Sequence, residues 1–210
     1  MHEDVRRARE ALDDGQDAWV RLTPEVVDDL GEDHADRLLR ALDSFESLDN
    51  GAGAAAAEWL RTKALAMHGS TVTYLWLVGR KVEGFYSLCS SNVRLSSGHR
   101  KRVFKETGLS VLEIPSLQPA SLVAWIAKQA DASSDCGRAV LFHAFSVATE
   151  VSHLQGSIAL VLDPFDDQTA EMWERRTDVP FHRSARSPGD DEQKPRRLWT
   201  PLIPPYPGVG

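Results

Sequence analysis

Apolar residues recur every three or four positions in several stretches of this chain, a spacing that predicts amphipathic helices. Residues 34–45 (HADRLLRALDSF) place Leu38, Leu39, Leu42 and Phe45 on one face, and residues 54–69 (AAAAEWLRTKALAMHG) do the same with Trp59, Leu60, Ala64 and Met67. Between them, Asn50-Gly51-Ala52-Gly53 is expected to break the helical run. Residues 2–14 are mostly good helix formers closed by Gly15, and residues 137–156 make a long helix opening at Gly137. Thr23 followed by Pro24 is a start signal, a capping hydroxyl and then proline at the first helical position. Asp166 or Asp167 caps a helix over 169–176, and residues 96–107 form an exposed basic helix.

Strands show as alternation or as short apolar runs. Residues 18–22 (AWVRL) alternate. Residues 71–79 and 85–91, joined by a turn over 79–84, read as a β-hairpin. LVAWIA at 122–127 and SIALVLD at 157–163 are nearly continuous apolar runs, as strands buried on both faces should be. Short strands follow at 179–184 and 197–202, with a polar loop at 187–195 and a frayed tail at 204–210. The sum is an α+β chain with a mixed sheet of six or seven strands and no internal repeat.

The chain has 210 residues, 42% of them apolar, which suits one domain or one domain with an added arm. Residues 1–50 hold 15 Asp/Glu and 6 Arg, a net charge of −9. Subtracting that from −7 for the whole leaves residues 51–210 at +2, so the acidic excess belongs to an N-terminal extension, residues 1–44. Cys89 and Cys136 fit neither a zinc site nor a CxxC pattern, and no metal is expected. There is no basic-then-apolar leader, and no apolar run reaches the ~18 residues of a membrane helix. A cytoplasmic protein without a membrane partner is the expectation.

The stretch most informative about chemistry is 121–141, SLVAWIAKQADASSDCGRAVL. A strand, a loop of small polar residues and a helix follow in that order. A helix N-terminus carries unpaired N–H groups and partial positive charge, which suits phosphate. Ser133, Ser134, Cys136, Gly137 and Arg138 are therefore a candidate phosphate cradle, with an ordinary capped turn as the plain alternative. Cys136 is either a thiol activated at a helix end or a small residue that fits. Tyr74 and Tyr86 on the hairpin either face an acceptor or pack. His143 and His153 are read as partly exposed helix positions. His99, Arg100, Lys101, Arg102 and Lys105 form a basic cluster, extended by Arg196 and Arg197, that either grips a nucleic-acid backbone or is a solvated face.

Four segments in this order resemble the GNAT superfamily of N-acetyltransferases, nearest to the acetyltransferase toxins of toxin–antitoxin pairs. They are Phe45 with EWLRTKALAMHG and TYLWLVGRKVEGFYSLCSSNV, then IPSLQPASLVAWIAK, then DASSDCGRAVLFHAF, and last DPFDDQTAEMWERR with RLWTPL. The resemblance covers roughly residues 45–202. It implies a domain at 45–203 with a mostly antiparallel sheet whose two central parallel strands splay. It implies acetyl-CoA as co-substrate, held by the loop and by Trp125, Ile126, Ala127 and Lys128, whose backbone would polarise the thioester carbonyl. The implied acceptor is a primary amine, in the toxin branch the α-amine of aminoacyl-tRNA, with Arg100, Lys101, Arg102 and Lys105 as candidate tRNA contacts. A homodimer and an antitoxin partner are also implied.

Two departures stand out. The family's glycine-rich loop is replaced by Ala132-Ser133-Ser134-Asp135-Cys136-Gly137, and the tyrosine that protonates the leaving thiolate is replaced by Trp173. Indole donates a hydrogen bond but supplies no proton at usable pH. Tyr86 is carried as a second candidate catalytic residue. The alternative to an enzyme is a degenerate member that binds a ligand or protein without catalysis.

Overall fold

Polar side chains of Thr23, Asn50, Ser96 and Asp166 start helices in this computed structural model, which describes residues 3–48, 50–105, 110–175, 178–186, 191 and 194–202. Helix α1 spans Glu3–Asp14, strand β1 Asp17–Leu22, helix α2 Pro24–Leu30 and helix α3 Glu32–Asp43. The Thr23 hydroxyl accepts from the Val26 N–H at the start of α2. Asn50 begins α4 (Gly51–Thr62) by accepting from Gly53 N–H, so this stretch starts a helix where a break was expected. Asp166 caps α7 (Asp167–Glu174) in the same way. The remaining elements are β2 (Val72–Val78), β3 (Lys81–Arg94), α5 (Ser97–Val103), β4 (Leu117–Lys128), α6 (Ser134–Gln155), β5 (Ala159–Leu162), β6 (His182–Arg183) and β7 (Leu198–Pro201).

The strands form one mixed sheet in the order β1-β2-β3-β4-β5-β7-β6. β4 and β5 pair in parallel, and β1–β2, β2–β3, β5–β7 and β6–β7 pair antiparallel. The parallel ladder ends at Val123–Leu162, where β5 stops, while β4 continues to Lys128. Residues 124–128 are only half-buried, which corrects the expectation of a strand covered on both faces.

The chain divides into two compact units, residues 1–89 with 124–144, and 90–123 with 145–210. In the first, the described part of the acidic segment, residues 3–44, contributes to the core and supplies the edge strand β1. Val5, Ala8, Ala11 and Leu12 of α1 join Val20, Leu38, Leu60, Leu75 and Phe85 in one buried cluster. Leu39 and Met67, expected on buried stripes, are 38% and 43% exposed. Ala41 takes the inward position on α3, and α4 ends at Thr62, so Met67 lies beyond its helical face. In the second unit, Val93, Leu95, Ala120, Ala159, Val161 and Trp199 form the core.

The turn between β2 and β3 is shorter than expected: only Gly79, at φ 59°, and Arg80 separate the strands. The ladder then slips. Trp76 pairs with Gly84 but Leu77 pairs with Val82, so Glu83 is an extra residue, a β-bulge. Gly84 sits where α6 presses on the sheet: a Cβ there would stand 2.6 Å from Val140 Cγ2 and 3.3 Å from both the Ala127 carbonyl and Cys136 Sγ. Gly84→Ala should therefore cost ~1–3 kcal/mol of stability by overpacking. Chemical denaturation of the variant checks this, and an unchanged midpoint would refute the close seating of α6.

Candidate functional site

The loop between β4 and α6 hangs on backbone carbonyls. The bulge turns the Glu83 carbonyl toward it, where it accepts from the Gln129 N–H at 2.8 Å and from the Cys136 thiol at 3.2 Å. The Ala130 N–H donates to the Glu46 carbonyl at 2.8 Å, and the Gln129 side chain accepts from the Glu46 N–H at 3.0 Å. The Lys128 ammonium donates to the Ala132 carbonyl at 2.6 Å, so a cation lies at the foot of the loop.

Helix α6 opens at Ser134, three residues before the expected Gly137, which becomes part of its first turn. Ser133, Ser134, Asp135 and Arg138 are exposed, and the first N–H groups of such a helix have no partner within it. A Cβ on Gly137 would meet only Lys128 Cδ, at 3.8 Å, so the backbone there is bare and open to an approaching group. The residues thus fit an anionic ligand at this helix end. Cys136 turns the other way. It is buried, its N–H donates to Ser133 O, and burial, with the nearby Glu83 charge, pushes its thiol up to about 11. It is a packing residue and not a nucleophile, and its side chain is turned away from the loop's exposed face.

Trp125 stacks on Trp59 at 5.5 Å, and Trp59 on Phe85 at 6.2 Å, so the Trp125 side chain is packing. Its backbone and those of Ile126 and Ala127 lie on the part of β4 that runs past the end of β5.

The catalytic candidates lie in different settings. Tyr86 is fully buried, and its hydroxyl is 2.7 Å from His143 Nδ1, which corrects the picture of a tyrosine facing an acceptor. His143, read from the sequence as a bland helix position, stacks flat on Trp19 at 4.0 Å in a cluster with Tyr74 and Trp76. Trp173 is 8% exposed and packs edge-on against Phe181. In the basic cluster, Lys101, Arg102 and Lys105 are exposed. Arg100 is not a free phosphate contact, because its guanidinium donates to the Val111 and Ile114 carbonyls. Arg197 forms a two-pronged pair with Asp163 and also donates to Ser91 and Asn92. Glu83, Gln129 and Gly84 escaped notice in the sequence, since their roles lie in backbone geometry that side-chain types do not announce. No group of His, Cys, Asp and Glu among the described residues could hold a metal, and no described helix is long and apolar enough to cross a membrane.

No protein-family model matches the sequence, and no curated protein matches it. Solved structures do match in fold. A mutant AtaT toxin bound to the C-terminus of the antitoxin AtaR and acetyl-CoA shares 17% identity at a TM-score of 0.58, covering 89% of this chain and 94% of that one. AtaT complexed with acetyl-methionyl-tRNAfMet shares 17% identity at a TM-score of 0.60, covering 89% and 95%. A mutant of KacT shares 14% identity at 0.61, again covering 89% and 95%. These likenesses are of fold, and this chain has the GNAT-like α+β fold.

His143 makes the fold sensitive to acid. Burial, aided by the Arg7 charge, holds its imidazole at about 4, below the ordinary 6.5. The unfolded chain takes up this proton below pH 6.5 and the folded chain resists until about pH 4. The stability it contributes is present above pH 6.5 and is lost as pH falls toward 4. Urea midpoints of His143→Phe should fall less than those of the parent chain between pH 7 and pH 5. Equal slopes would show that His143 is neutral for some other reason or not buried.

Proposed function

We propose, from the fold this chain shares with the AtaT and KacT toxins, that it is an acetyl-CoA-dependent N-acetyltransferase acting on a primary amine, the α-amine of an aminoacyl-tRNA. The observation that carries the reading is the open first turn of α6, held in place by the Glu83 carbonyl and left bare at Gly137. The fold and the complexes of AtaT with acetyl-CoA and with acetyl-methionyl-tRNAfMet support it. A protein antitoxin as partner has the same kind of support.

In this reading the N–H groups at the start of α6, with the Ser133 and Ser134 hydroxyls, bind the pyrophosphate of acetyl-CoA. Lys128 and Arg138 add positive charge. Asp135, exposed in the same turn, opposes them and lowers affinity. Backbone N–H groups of Trp125, Ile126 and Ala127 polarise the acyl carbonyl, a role worth several kcal/mol where donors are preorganised. The thioester supplies an activated acyl group. An α-amine, with a pKa of ~7.7–8.0, is partly neutral at pH 7 and tolerates weak acid–base assistance better than a lysine. That preference suits a site in which Trp173 replaces the family's acid. The same Trp173, buried against Phe181, favours a second reading as a binding module without catalysis.

Calorimetric titration with acetyl-CoA decides first: micromolar binding is expected, and none at millimolar cofactor would overturn the proposal. Gly137→Ala separates ligand binding from folding. It should raise stability by ~0.5–1 kcal/mol, as alanine for glycine in a helix does. At the same time it should weaken acetyl-CoA binding by about tenfold, or ~1.4 kcal/mol, by filling the bare position. Unchanged affinity would place the cofactor elsewhere.

A further inference from the structure

One cleft is built wholly within the second unit. It measures about 510 Å³ and takes side chains from four stretches of the chain: Ser96 and His99 at the start of α5, Glu174 on α7, the segment around β6, and Arg196 ahead of β7. Backbone bonds set its frame. The Ser184 N–H donates to the Arg197 carbonyl at 2.8 Å, and the Ala185 N–H to the Arg94 carbonyl at 3.0 Å.

Two imidazoles and one guanidinium in this cleft are left for a ligand. His99 and His182 have ring centroids 5.7 Å apart, and both lie against Trp199, at 5.0 and 5.4 Å. His99 Nδ1 is buried without a hydrogen bond among the described residues, and so is Nε1 of Trp199 behind the two rings. Arg196 is exposed and forms no ion pair among the described residues. Arg183, by contrast, is held by Glu174 at 2.8 Å. Two guanidiniums against one carboxylate leave the lining with net positive charge before either imidazole takes a proton.

We propose that this cleft binds the phosphoryl group of a phosphate monoester. A carboxylate is planar and is met best by one guanidinium fork. A phosphoryl group presents three oxygens on different sides, which suits donors spread over α5, β6 and the approach to β7. Its second ionisation, near pH ~6, lies close to that of histidine, so the group and an imidazole can share a proton in a hydrogen bond. The lining residues Ser184, Ala185 and Arg196 also line a neighbouring hollow of about 320 Å³ that includes Lys194, which gives room for the rest of the ester. The proposal stands apart from the acetyltransferase reading, because residues 133–138 belong to the first unit and this cleft to the second.

The surroundings give the binding a pH dependence. Burial is the first cause that holds His99 below 6.5, followed by the charges of His182 and Arg102. Arg183 and Arg196 add positive charge, and Glu174 is spent on Arg183. A bound dianion offsets those charges and favours the imidazolium, so binding takes up a proton and tightens as pH falls.

The test is calorimetric titration of the full chain with phenyl phosphate, inorganic phosphate and acetate, followed in parallel by NMR of the histidine rings. Phenyl phosphate should bind with a Kd of ~1 mM or tighter. It should move the His99 and His182 resonances and leave in place that of His153, exposed on α6. Arg196→Gln and His99→Gln should each weaken binding by about tenfold. Sulfate, whose own charge is fixed near neutrality, should bind more tightly at pH 6 than at pH 8, and His99→Gln should flatten that slope. If His99→Gln does not fold, Arg196→Gln decides, since its side chain is exposed. Absence of binding, equal affinity in Arg196→Gln, or binding that leaves both histidine resonances unmoved overturns the proposal. Acetate held as tightly as phenyl phosphate overturns it too, as does inorganic phosphate bound where phenyl phosphate is refused. None of these outcomes touches the acetyltransferase reading, which the titration with acetyl-CoA decides by itself.

Discussion

The Glu83 carbonyl is the constraint on which the candidate site depends. One extra residue in β3 turns this oxygen out of the ladder, and it then accepts from the Gln129 N–H and the Cys136 thiol. Those two donors lie on either side of the loop, one at its start and one in the first turn of α6. A single atom therefore fixes both ends of a segment that has few means of its own to hold a shape. Gly84 completes the arrangement, because the helix packs into the space its missing side chain leaves. Bulges commonly re-aim a group beside a functional site, and here the re-aimed group is main chain.

The electrostatic pattern of the first unit is one of neutrality at two titratable groups, the buried Cys136 and the half-buried His143. Cys136 and His143 are both held uncharged near pH 7, the thiol by a raised pKa and the imidazole by a lowered one, and burial is the first cause of both. The charged residues near the loop, Lys128, Asp135 and Arg138, keep their heads at or near the surface. A ligand meeting the start of α6 thus encounters exposed charge and backbone, while the layer beneath it does not change its charge between pH 6.5 and 9. The second unit distributes its cations differently. Arg100, Arg183 and Arg197 are engaged with carbonyls or carboxylates of their own unit, which turns much of an apparently basic surface into internal structure.

How legible this was in the sequence varied with the physics behind each element. Two caps were legible: Thr23 and Asp166 act through short side chains on the nearest N–H groups, a local effect that residue type determines, whereas Asn50 caps α4 in a stretch read only as a helix break. The order of strands and helices and the mixed sheet were legible from hydrophobic spacing and from the family resemblance. Register was not. The slip at Trp76/Leu77 depends on how two strands settle against each other, so the turn read over 79–84 shrank to two residues and Gly84 moved into the strand. Side-chain orientation failed for the same reason. Leu39 shares the helical period with Leu38 and Leu42, yet Ala41 takes the buried place. Tyr86 and His143, 57 residues apart, revealed their hydrogen bond only once the chain was folded.

The anchors of the loop have a further consequence. The oxygens of Glu83, Glu46 and Ala132 belong to the main chain, and almost any amino acid at those positions would supply the same acceptor. A cradle pinned in this manner releases its own residues from the duty of shaping it. The residue types of such a cradle can vary while the curve of the backbone stays. A fold then persists beyond the reach of sequence profiles, which count letters and have no record of carbonyls. The architecture of this chain matches those solved AtaT and KacT structures over 89% of its length at 14–17% identity.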